Sequence, residues 1–176
     1  MSRLQIDDKK INLIKFKSLK DNRGEFSRIY CFKELKKIDL NKIAQINLVK
    51  TKKKGTIRGF HYQVGKFSED KLIIVLKGSI FDVFINLNKN KKDYLKINKK
   101  KLYSSKKEIL FIPRGYAHAY QTLQDDTHIL YLTTNFYNDV KEKQFNPLSN
   151  FFNINWPVNK MILSKKDLNS NFYEKK

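Results

Sequence analysis

Short apolar runs separated by turn signals dominate the pattern of this chain. Residues 72–76 form a continuous apolar run, as in a strand buried on both faces, and Lys77 and Gly78 follow it as a turn. Residues 80–87 alternate with a period of two, which predicts a second strand with two distinct faces. One face carries Phe81, Val83, Ile85 and Leu87, and the other carries Asp82, Phe84 and Asn86.

The same rhythm continues along the chain. Residues 109–112 predict a strand that ends at a turn around Pro113 and Gly115, and residues 128–134 predict another. Helical patterns occur at residues 32–39 and in the tail from Ser164. Many short strands with regular turns favour an antiparallel sandwich or jelly roll. Since the sequence has no GxGxxG and no P-loop, the usual dinucleotide-binding and NTP-binding folds are excluded.

Length and composition are those of one globular domain, which we expect to span residues 1–176. Hydrophobic residues make up 40% of the 176 positions, enough for a substantial core. No window approaches the roughly 20 apolar residues of a membrane span, and the N-terminus lacks the apolar run of a signal peptide. Cys31 stands alone, which excludes a disulfide framework and a thiolate metal cluster. We therefore expect a cytoplasmic protein with no membrane partner.

The net charge of +20 raises the possibility of a nucleic-acid partner. The lysine runs at residues 52–54, 99–101 and 175–176 fall in segments with loop or terminal character, and no recognition helix or RNA-binding signature is present. We therefore predict no nucleic-acid partner. A basic surface would still attract a small polyanion such as a nucleotide diphosphate.

The run at residues 58–63 concentrates groups that can do chemistry. It contains the cation Arg58, the flexible Gly59 and the imidazole of His61, and Lys71 follows ten residues after His61. Two interpretations remain open for His61 and for His118, because a lone histidine in an apolar context is commonly a hydrogen-bonded core residue. The reactive interpretation needs partners elsewhere in the sequence.

Two histidines on different strands also permit a metal site. Metal-binding jelly rolls commonly use a His-x-His pair with a nearby Glu, whereas here the residue two positions after His61 is Gln63. One ligand is therefore missing, and we predict no metal and no other cofactor.

Several motifs in order along nearly the whole chain resemble those of the RmlC-like family of dTDP-4-dehydrorhamnose 3,5-epimerases, within the cupin superfamily. Residues 21–28 are similar to the DxRGxF element, residues 45–47 to the Gln-x-Asn strand, and residues 55–63 to the most diagnostic motif. The remaining matches are Lys71-Leu72, Phe81-Asp82-Val83, residues 112–118, Asn155-Trp156-Pro157 and residues 163–167.

This resemblance implies a mainly β, cupin-type double-stranded β-helix, or jelly roll, with short helices near the C-terminus. It implies a homodimer that works without a metal on a nucleotide-linked 4-keto-6-deoxy sugar. The family inverts C3 and C5, on either side of the C4 ketone, turning dTDP-4-dehydro-6-deoxyglucose into dTDP-4-dehydrorhamnose for polysaccharide biosynthesis.

The resemblance also implies roles for particular residues. His61 would be the base, oriented by Asp167, and Tyr131 would be the acid that reprotonates the sugar from the other face. Lys71 would stabilise the enolate, and Arg58 would hold the diphosphate. The residues implied for substrate binding are His118 and Asp82 in the site lining; Arg23, Phe26, Gln45 and Asn47 around the nucleotide, in part from the partner subunit; and Arg28 and Tyr137.

Some positions depart from the family pattern, namely Asn86, Ala119 and Val49, and Arg28 occupies a slot that varies among members. The nucleotide carrier, and inversion at both carbons rather than C3 alone, therefore stay open. The alternatives are a 3-epimerase or ketoisomerase acting on a related nucleotide 4-keto sugar, or a non-catalytic cupin that binds a metal or a sugar nucleotide. The set of His61, Lys71, Tyr131 and Asp167 favours the enzyme.

Overall fold

Twelve short strands and two short α-helices lie within the part of the chain that the structure describes. The computed structural model describes residues 12–35 and 42–174. The helices are α1, Phe32–Leu35, and α2, Lys165–Leu168. The strands are β1 Asn12–Lys15, β2 Ser18–Asp21, β3 Gly24–Ser27, β4 Gln45–Thr51, β5 Ile57–Gln63, β6 Lys71–Lys77, β7 Ser79–Asn86, β8 Ile97–Tyr103, β9 Glu108–Ile112, β10 Tyr116–Thr122, β11 Thr127–Thr133 and β12 Glu142–Gln144.

Two five-stranded sheets carry ten of these strands. Sheet one has the order β1-β9-β6-β11-β4, and sheet two has the order β12-β5-β10-β7-β8. The strands β2 and β3 form a separate hairpin, and the pairings between named strands are antiparallel. Two packed antiparallel sheets with crossed connections confirm the predicted jelly roll.

The period-two alternation predicted for residues 80–87 is confirmed in β7. Ile80 and Phe84 pack against apolar residues of sheet one such as Ile73 and Leu110, in the core between the sheets. Residues on the opposite face, including Val83, belong to a second cluster on the outer side of sheet two. Full burial of each such side chain contributes about 1.5–3 kcal/mol, so both faces of β7 help to fix its register.

A C-terminal segment covers the outer face of sheet two. Phe145 stacks on Phe60 of β5 with ring centroids 4.7 Å apart, and Phe152 and Trp156 complete the same cluster. The Trp156 indole N–H donates to the carbonyl oxygen of Pro147 at 3.1 Å, so its polar group is satisfied although the ring is buried. This packing holds the chain near β5 before it reaches α2, and α2 contacts β5.

An irregular register joins β5 to β10. His118 pairs with His61 and Tyr120 pairs with Arg58, with a register shift between the two pairs. The two partners are two residues apart on β10 and three residues apart on β5, so β5 holds one extra residue. Simple alternation would place Arg58 and His61 on opposite faces of the sheet, whereas this irregularity allows both to face the same side.

The remaining predicted elements agree with the structure in part. The strands predicted at residues 109–112 and 128–134 are β9 and β11. The helix predicted in the tail from Ser164 is limited to the four residues of α2, with Ser164 as its N-cap, and residues 169–174 are not helical. Of the helix predicted at residues 32–39, α1 forms the first four residues, and residues 36–39 lie outside the described residues. Within the described ranges, none of the helices is long and apolar enough to cross a membrane.

Substitution of Gly59 tests the β5–β10 register. Gly59 has φ +110°, and a Cβ atom there would overlap the His118 carbonyl oxygen and lie 2.8 Å from the Ala119 Cα. We expect Gly59→Ala to lower the unfolding free energy by more than about 3 kcal/mol, since strain and overlap add. Gly65→Ala is the control, because Gly65 has φ +63° with open space around it, and should cost about 1 kcal/mol. Equal losses in urea-unfolding curves would contradict this account.

Candidate active site

A cavity of about 290 Å³, here called the first cavity, lies between the two sheets. Sheet two contributes one set of side chains, sheet one the facing set, and the segment around α2 closes the space. The lining residues are Arg58, His61, His118 and Tyr120 from sheet two; Val49, Lys71, Ile73, Ile129 and Tyr131 from sheet one; and Ser164, Lys166 and Asp167 from the α2 segment. Six of the predicted site residues therefore meet here, although they come from four strands and a helix.

His61 and Asp167 form a hydrogen-bonded pair in this cavity. The Nε2 atom of His61 lies 2.7 Å from the Oδ1 atom of Asp167, and the Asp167 side chain is only 5% exposed. The Ser164 hydroxyl donates to the other carboxylate oxygen at 2.9 Å, and in turn accepts from the Asp167 backbone N–H at 3.0 Å. This cap of α2 fixes the carboxylate in its orientation toward the imidazole.

The environment keeps Asp167 ionised. Burial by itself would raise the pKa of Asp167, but the hydrogen bond and charge of His61, together with the Ser164 hydroxyl, outweigh it, so that this pKa lies below its usual value. An ionised carboxylate can only accept a hydrogen bond. His61 therefore carries its hydrogen on Nε2, which leaves the lone pair of Nδ1 available as a base.

A second carboxylate lies on the other side of the same imidazole. The Oε1 atom of Glu142, on β12, is 3.9 Å from the Nδ1 atom of His61. The Oε2 atom of Glu142 accepts hydrogen bonds from the Tyr137 hydroxyl at 3.2 Å and from the Lys166 ammonium. The two oxygens thus have separate surroundings, and Oε1 is the one that faces His61.

His118 and Asp82 form another imidazole–carboxylate pair, which is almost fully buried. The Nε2 atom of His118 is 2.8 Å from the Oδ2 atom of Asp82, while Oδ1 of Asp82 has no hydrogen-bond partner within the described ranges. His118 lines the first cavity, but Asp82 has 0% exposure and lines neither cavity. Asp82 was expected in the site lining; instead it stands behind His118 and contacts the site through that imidazole.

Lys71 at the start of β6 projects into the first cavity and is paired with Glu69. The Lys71 ammonium lies 3.3 Å from the Oε1 atom of Glu69, with side-chain exposures of 14% and 10%. The Gln63 amide donates to the other Glu69 oxygen at 3.1 Å. The cation of Lys71 is therefore held in a fixed position by a buried carboxylate.

Tyr131 on β11 is the one residue of the described chain that lines both cavities. Burial raises the pKa of the Tyr131 phenol, and the charges of Glu69 and Glu142 raise it further, against a smaller lowering by Arg58. The phenol therefore holds its proton firmly in the free protein. It lies on sheet one, facing the sheet that carries His61.

The second cavity has a volume of about 360 Å³ and a more polar lining. It contains three of the residues predicted to bind the substrate: Gln45, Asn47 and Tyr137. The Tyr137 backbone N–H donates to the Gln45 side chain at 2.5 Å, which joins β4 to the loop before β12. The complete lining is Gln45, Asn47, Tyr62, Gln63, Glu69, Tyr131, Thr133, Tyr137 and Glu142.

Three predicted binding residues lie away from both cavities. Arg23 and Phe26 belong to the β2–β3 hairpin, where Arg23 pairs with Asp21 at 2.6 Å and Phe26 is 62% exposed. Arg28 pairs with Glu34 at 3.0 Å. Within one chain these residues do not reach the site, so their assignment as substrate-binding residues stays a prediction that requires a second subunit.

Three charged side chains of the site and one helix cap had no assignment from the sequence: Lys166, Glu69, Glu142 and Ser164. Ser164 had a signal, since Ser three positions before an acid is typical of a helix cap. Glu142 had none, because a Glu in a lysine-rich segment resembles any solvated surface residue. Within the described residues, no group of three or more His, Cys, Asp or Glu side chains is arranged to hold a metal ion.

Comparison with known proteins gives a consistent assignment. The sequence model of dTDP-4-dehydrorhamnose 3,5-epimerases matches residues 4–175. A dTDP-4-dehydrorhamnose 3,5-epimerase from Shigella flexneri is 35% identical over 116 residues, which span 66% of this chain and 64% of that protein. One from Sinorhizobium fredii (strain NBRC 101917 / NGR234) is 30% identical over 163 residues, spanning 89% of this chain and 82% of that protein.

The fold agrees as well. The crystal structure of dTDP-4-dehydrorhamnose 3,5-epimerase from Bacillus anthracis with TDP and PPi bound superposes with a TM-score of 0.90 at 27% identity, covering 97% of this chain and 98% of that one. The family match thus extends over almost the whole sequence, and the two packed sheets are those of a cupin-type jelly roll. The chain belongs to the dTDP-4-dehydrorhamnose 3,5-epimerase family of isomerases.

Proposed function

We propose that the chain inverts C3 and C5 of a nucleotide-linked 4-keto-6-deoxy sugar, converting dTDP-4-dehydro-6-deoxyglucose into dTDP-4-dehydrorhamnose for deoxysugar and polysaccharide biosynthesis. The observation that carries the proposal is the first cavity. There an imidazole with a buried carboxylate partner lies on one sheet, and a phenol and an ammonium lie on the facing sheet. Inversion beside a ketone needs these three groups: a base, an acid on the other side, and a cation for the enolate.

Proton removal is assigned to His61. Its Nε2–H donates to Asp167, so its Nδ1 atom is oriented to take the hydrogen on the carbon next to the ketone. The ionised Asp167 then stabilises the imidazolium that forms, as the carboxylate does in hydrolase triads. His61 is 30% exposed, so a sugar in the cavity can reach it.

Stabilisation of the negative charge that develops on the ketone oxygen is assigned to Lys71. An ammonium held in place before the reaction stabilises an enolate more effectively than a mobile one, because it does not reorganise as the charge forms. The pairing with Glu69 supplies that positioning. His118, supported by Asp82, lines the same space and offers a further polar contact for the sugar.

Reprotonation is assigned to Tyr131. Its raised pKa keeps the proton on the phenol until a strongly basic enolate carbon requires it. Because Tyr131 and His61 come from facing sheets, a sugar between them has the base on one side and the acid on the other. Such an arrangement gives inversion instead of return of the proton to the same face.

Binding of the nucleotide diphosphate is assigned to Arg58 and the second cavity. Arg58 is exposed at the first cavity and has no ion pair within the described residues, so its forked donors are available for phosphate oxygens. Gln45, Asn47 and Tyr137 offer amides and a ring for a nucleoside. The TDP bound to the Bacillus anthracis relative supports a thymidine nucleotide as the carrier. All these steps are proton transfers and require no cofactor.

The assembly is proposed to be a homodimer of single-domain subunits spanning residues 1–176. The edge strand β4 exposes Ile46 and Leu48 at 61% and 53%, beside the Gln45 and Asn47 of the second cavity. The β2–β3 hairpin likewise exposes Leu19 and Phe26. A sheet edge with apolar side chains is a surface that other chains can pair with, and a second copy there would bring the hairpin to the nucleotide.

Solvent exchange tests the proposed function. On prolonged incubation in D₂O, we expect the protein to put deuterium from solvent at C3 and C5 of dTDP-4-dehydro-6-deoxyglucose, because the base and the acid exchange their protons with water between binding events. NMR of the recovered sugar checks it. Label at C3 alone would identify a 3-epimerase, and the absence of label at either carbon would overturn the assignment for this substrate.

Substitution of the base and the acid should separate the two half-reactions. We expect His61→Asn to lower the rate of exchange by at least about 10²–10⁴-fold, because it removes the base. Tyr131→Phe should reduce inversion by a similar factor while sparing proton removal to a greater extent. Both variants should unfold at the wild-type temperature within a few degrees. Full activity of His61→Asn would mean that another group is the base.

The dimer is tested by charging the exposed face of β4. We expect the double variant Ile46→Lys, Leu48→Lys to sediment as a monomer at micromolar concentration, whereas the wild type sediments as a dimer. Phe172→Lys is the control, because Phe172 is 61% exposed but lies beside Tyr173, which packs against the aromatic cluster of sheet two. The monomer should also show a raised KM for the nucleotide sugar. A monomeric wild type would contradict the dimer.

A further inference from the structure

Two inversions on one bound sugar require the acid and base to be restored between them. After the first inversion the carbon-bound proton is on His61 and the phenolic proton of Tyr131 is on the sugar. The site then holds an imidazolium and a phenolate, so neither group can act again. Either the sugar leaves and both groups exchange protons with water, or a proton passes from His61 to Tyr131 while the sugar stays.

Glu142 lies where such a transfer would pass. Its Oε1 atom is 3.9 Å from the Nδ1 atom of His61, the nitrogen that receives the proton. Glu142 also lines the second cavity together with Tyr131, whose side chain reaches both cavities. The carboxylate is therefore close to the base on one side and shares a cavity wall with the acid on the other.

The partners of Glu142 leave one oxygen for this task. Tyr137 and Lys166 both donate to Oε2, which fixes the carboxylate plane and leaves Oε1 facing the imidazole. Burial alone would raise the pKa of Glu142, but the Lys166 hydrogen bond and the His61 charge hold it below its usual value. Glu142 is thus ionised before the reaction, so Oε1 has a free lone pair, and its lowered pKa makes the protonated carboxyl group short-lived.

The charges around Tyr131 favour the second half of the transfer. Burial is the largest cause of the raised pKa of Tyr131, and Glu69 and Glu142 add to it. Its phenolate is accordingly a strong base. A proton that reaches the Glu142 carboxyl group therefore moves downhill in free energy when it passes on to the Tyr131 oxygen.

We propose that Glu142 returns the proton from His61 to Tyr131 between the two inversions of one binding event. This inference rests on the proposed function. The Nδ1–H bond of the imidazolium breaks as an O–H bond forms at Oε1, either after a shift of about 1 Å to hydrogen-bond distance or through one water. The carboxyl group then gives its proton to the Tyr131 oxygen through water in the second cavity. No proton is gained or lost overall.

Glu142 acts through His61 and Tyr131 and does not touch the sugar, so it is a positioning residue for proton return.

Glu142→Gln tests the transfer, since an amide keeps the shape but cannot carry the proton. The experiment incubates dTDP-4-dehydro-6-deoxyglucose in D₂O in large excess over protein and measures the early ratio of singly to doubly inverted sugar by NMR. For Glu142→Gln we expect this ratio to rise at least tenfold, because each binding event stops after one inversion. The rate of the first inversion should fall by a smaller factor than the rate of the second.

Three further variants separate proton return from structural effects. Glu142→Asp restores a carboxylate and should bring the ratio back toward the wild-type value. Lys166→Met keeps the carboxylate but removes one of the two donors that fix its plane, so it should raise the ratio by less than Glu142→Gln does. Asp139→Asn is the matched control: it makes the same carboxylate-to-amide change three positions away, where Asp139 lines neither cavity. It should behave as the wild type. Thermal unfolding of each variant checks the fold.

The possible outcomes are distinguishable. If the wild type takes up no deuterium, the proposed function is wrong, and proton return is refuted with it. If the wild type inverts both carbons but Glu142→Gln gives the wild-type ratio, or loses the first inversion as strongly as the second, the function stands and the proton return by Glu142 is wrong. Inversion of a single carbon by the wild type also overturns it, because no second inversion then needs a restored acid.

Discussion

The hydrogen bond between His61 and Asp167 is the interaction on which the site depends. It joins two residues 106 positions apart and gives the imidazole one defined tautomer. Without it, His61 would be a half-buried histidine on a strand, with either nitrogen free to carry the hydrogen. A single short contact of 2.7 Å between a strand of sheet two and a helix near the C-terminus therefore decides whether this cavity contains a base.

That contact in turn depends on apolar packing far from the chemistry. The aromatic cluster of Phe60, Phe145, Phe152 and Trp156 holds the C-terminal segment against the outside of sheet two, and the cap by Ser164 then orients Asp167. Phe60 is the immediate neighbour of His61 on β5, so one strand serves the cluster with one residue and the cavity with the next. The packing of the core and the geometry of the site consequently depend on opposite faces of the same strand.

The strands could be predicted from the sequence because period-two alternation and turn residues are local signals, as β7 and β9 show. The meeting of His61, Lys71 and Asp167 followed from motif order, since no local pattern indicates which strands face each other. The register shift between β5 and β10 could not be predicted, because alternation places Arg58 and His61 on opposite faces. Glu142 was missed for a similar reason: its role depends on a neighbour 81 positions away in the sequence, the imidazole of His61.

The charges of the site are paired in a way that sets Arg58 apart from the other cationic groups. Each titratable cation or imidazole of the first cavity has its own carboxylate, at a distance where the two interact directly: His61 with Asp167, His118 with Asp82, Lys71 with Glu69 and Lys166 with Glu142. Arg58 is the exception, since it has no such carboxylate within the described residues.

Paired groups repel an incoming anion less than bare carboxylates would, yet they attract it weakly. The net charge of +20 therefore acts mainly at long range, and within the cavity Arg58 is the cation whose field remains available to a diphosphate. Loss of that one guanidinium should weaken binding of the nucleotide sugar while the paired groups, to which we assign the proton transfers, keep their geometry.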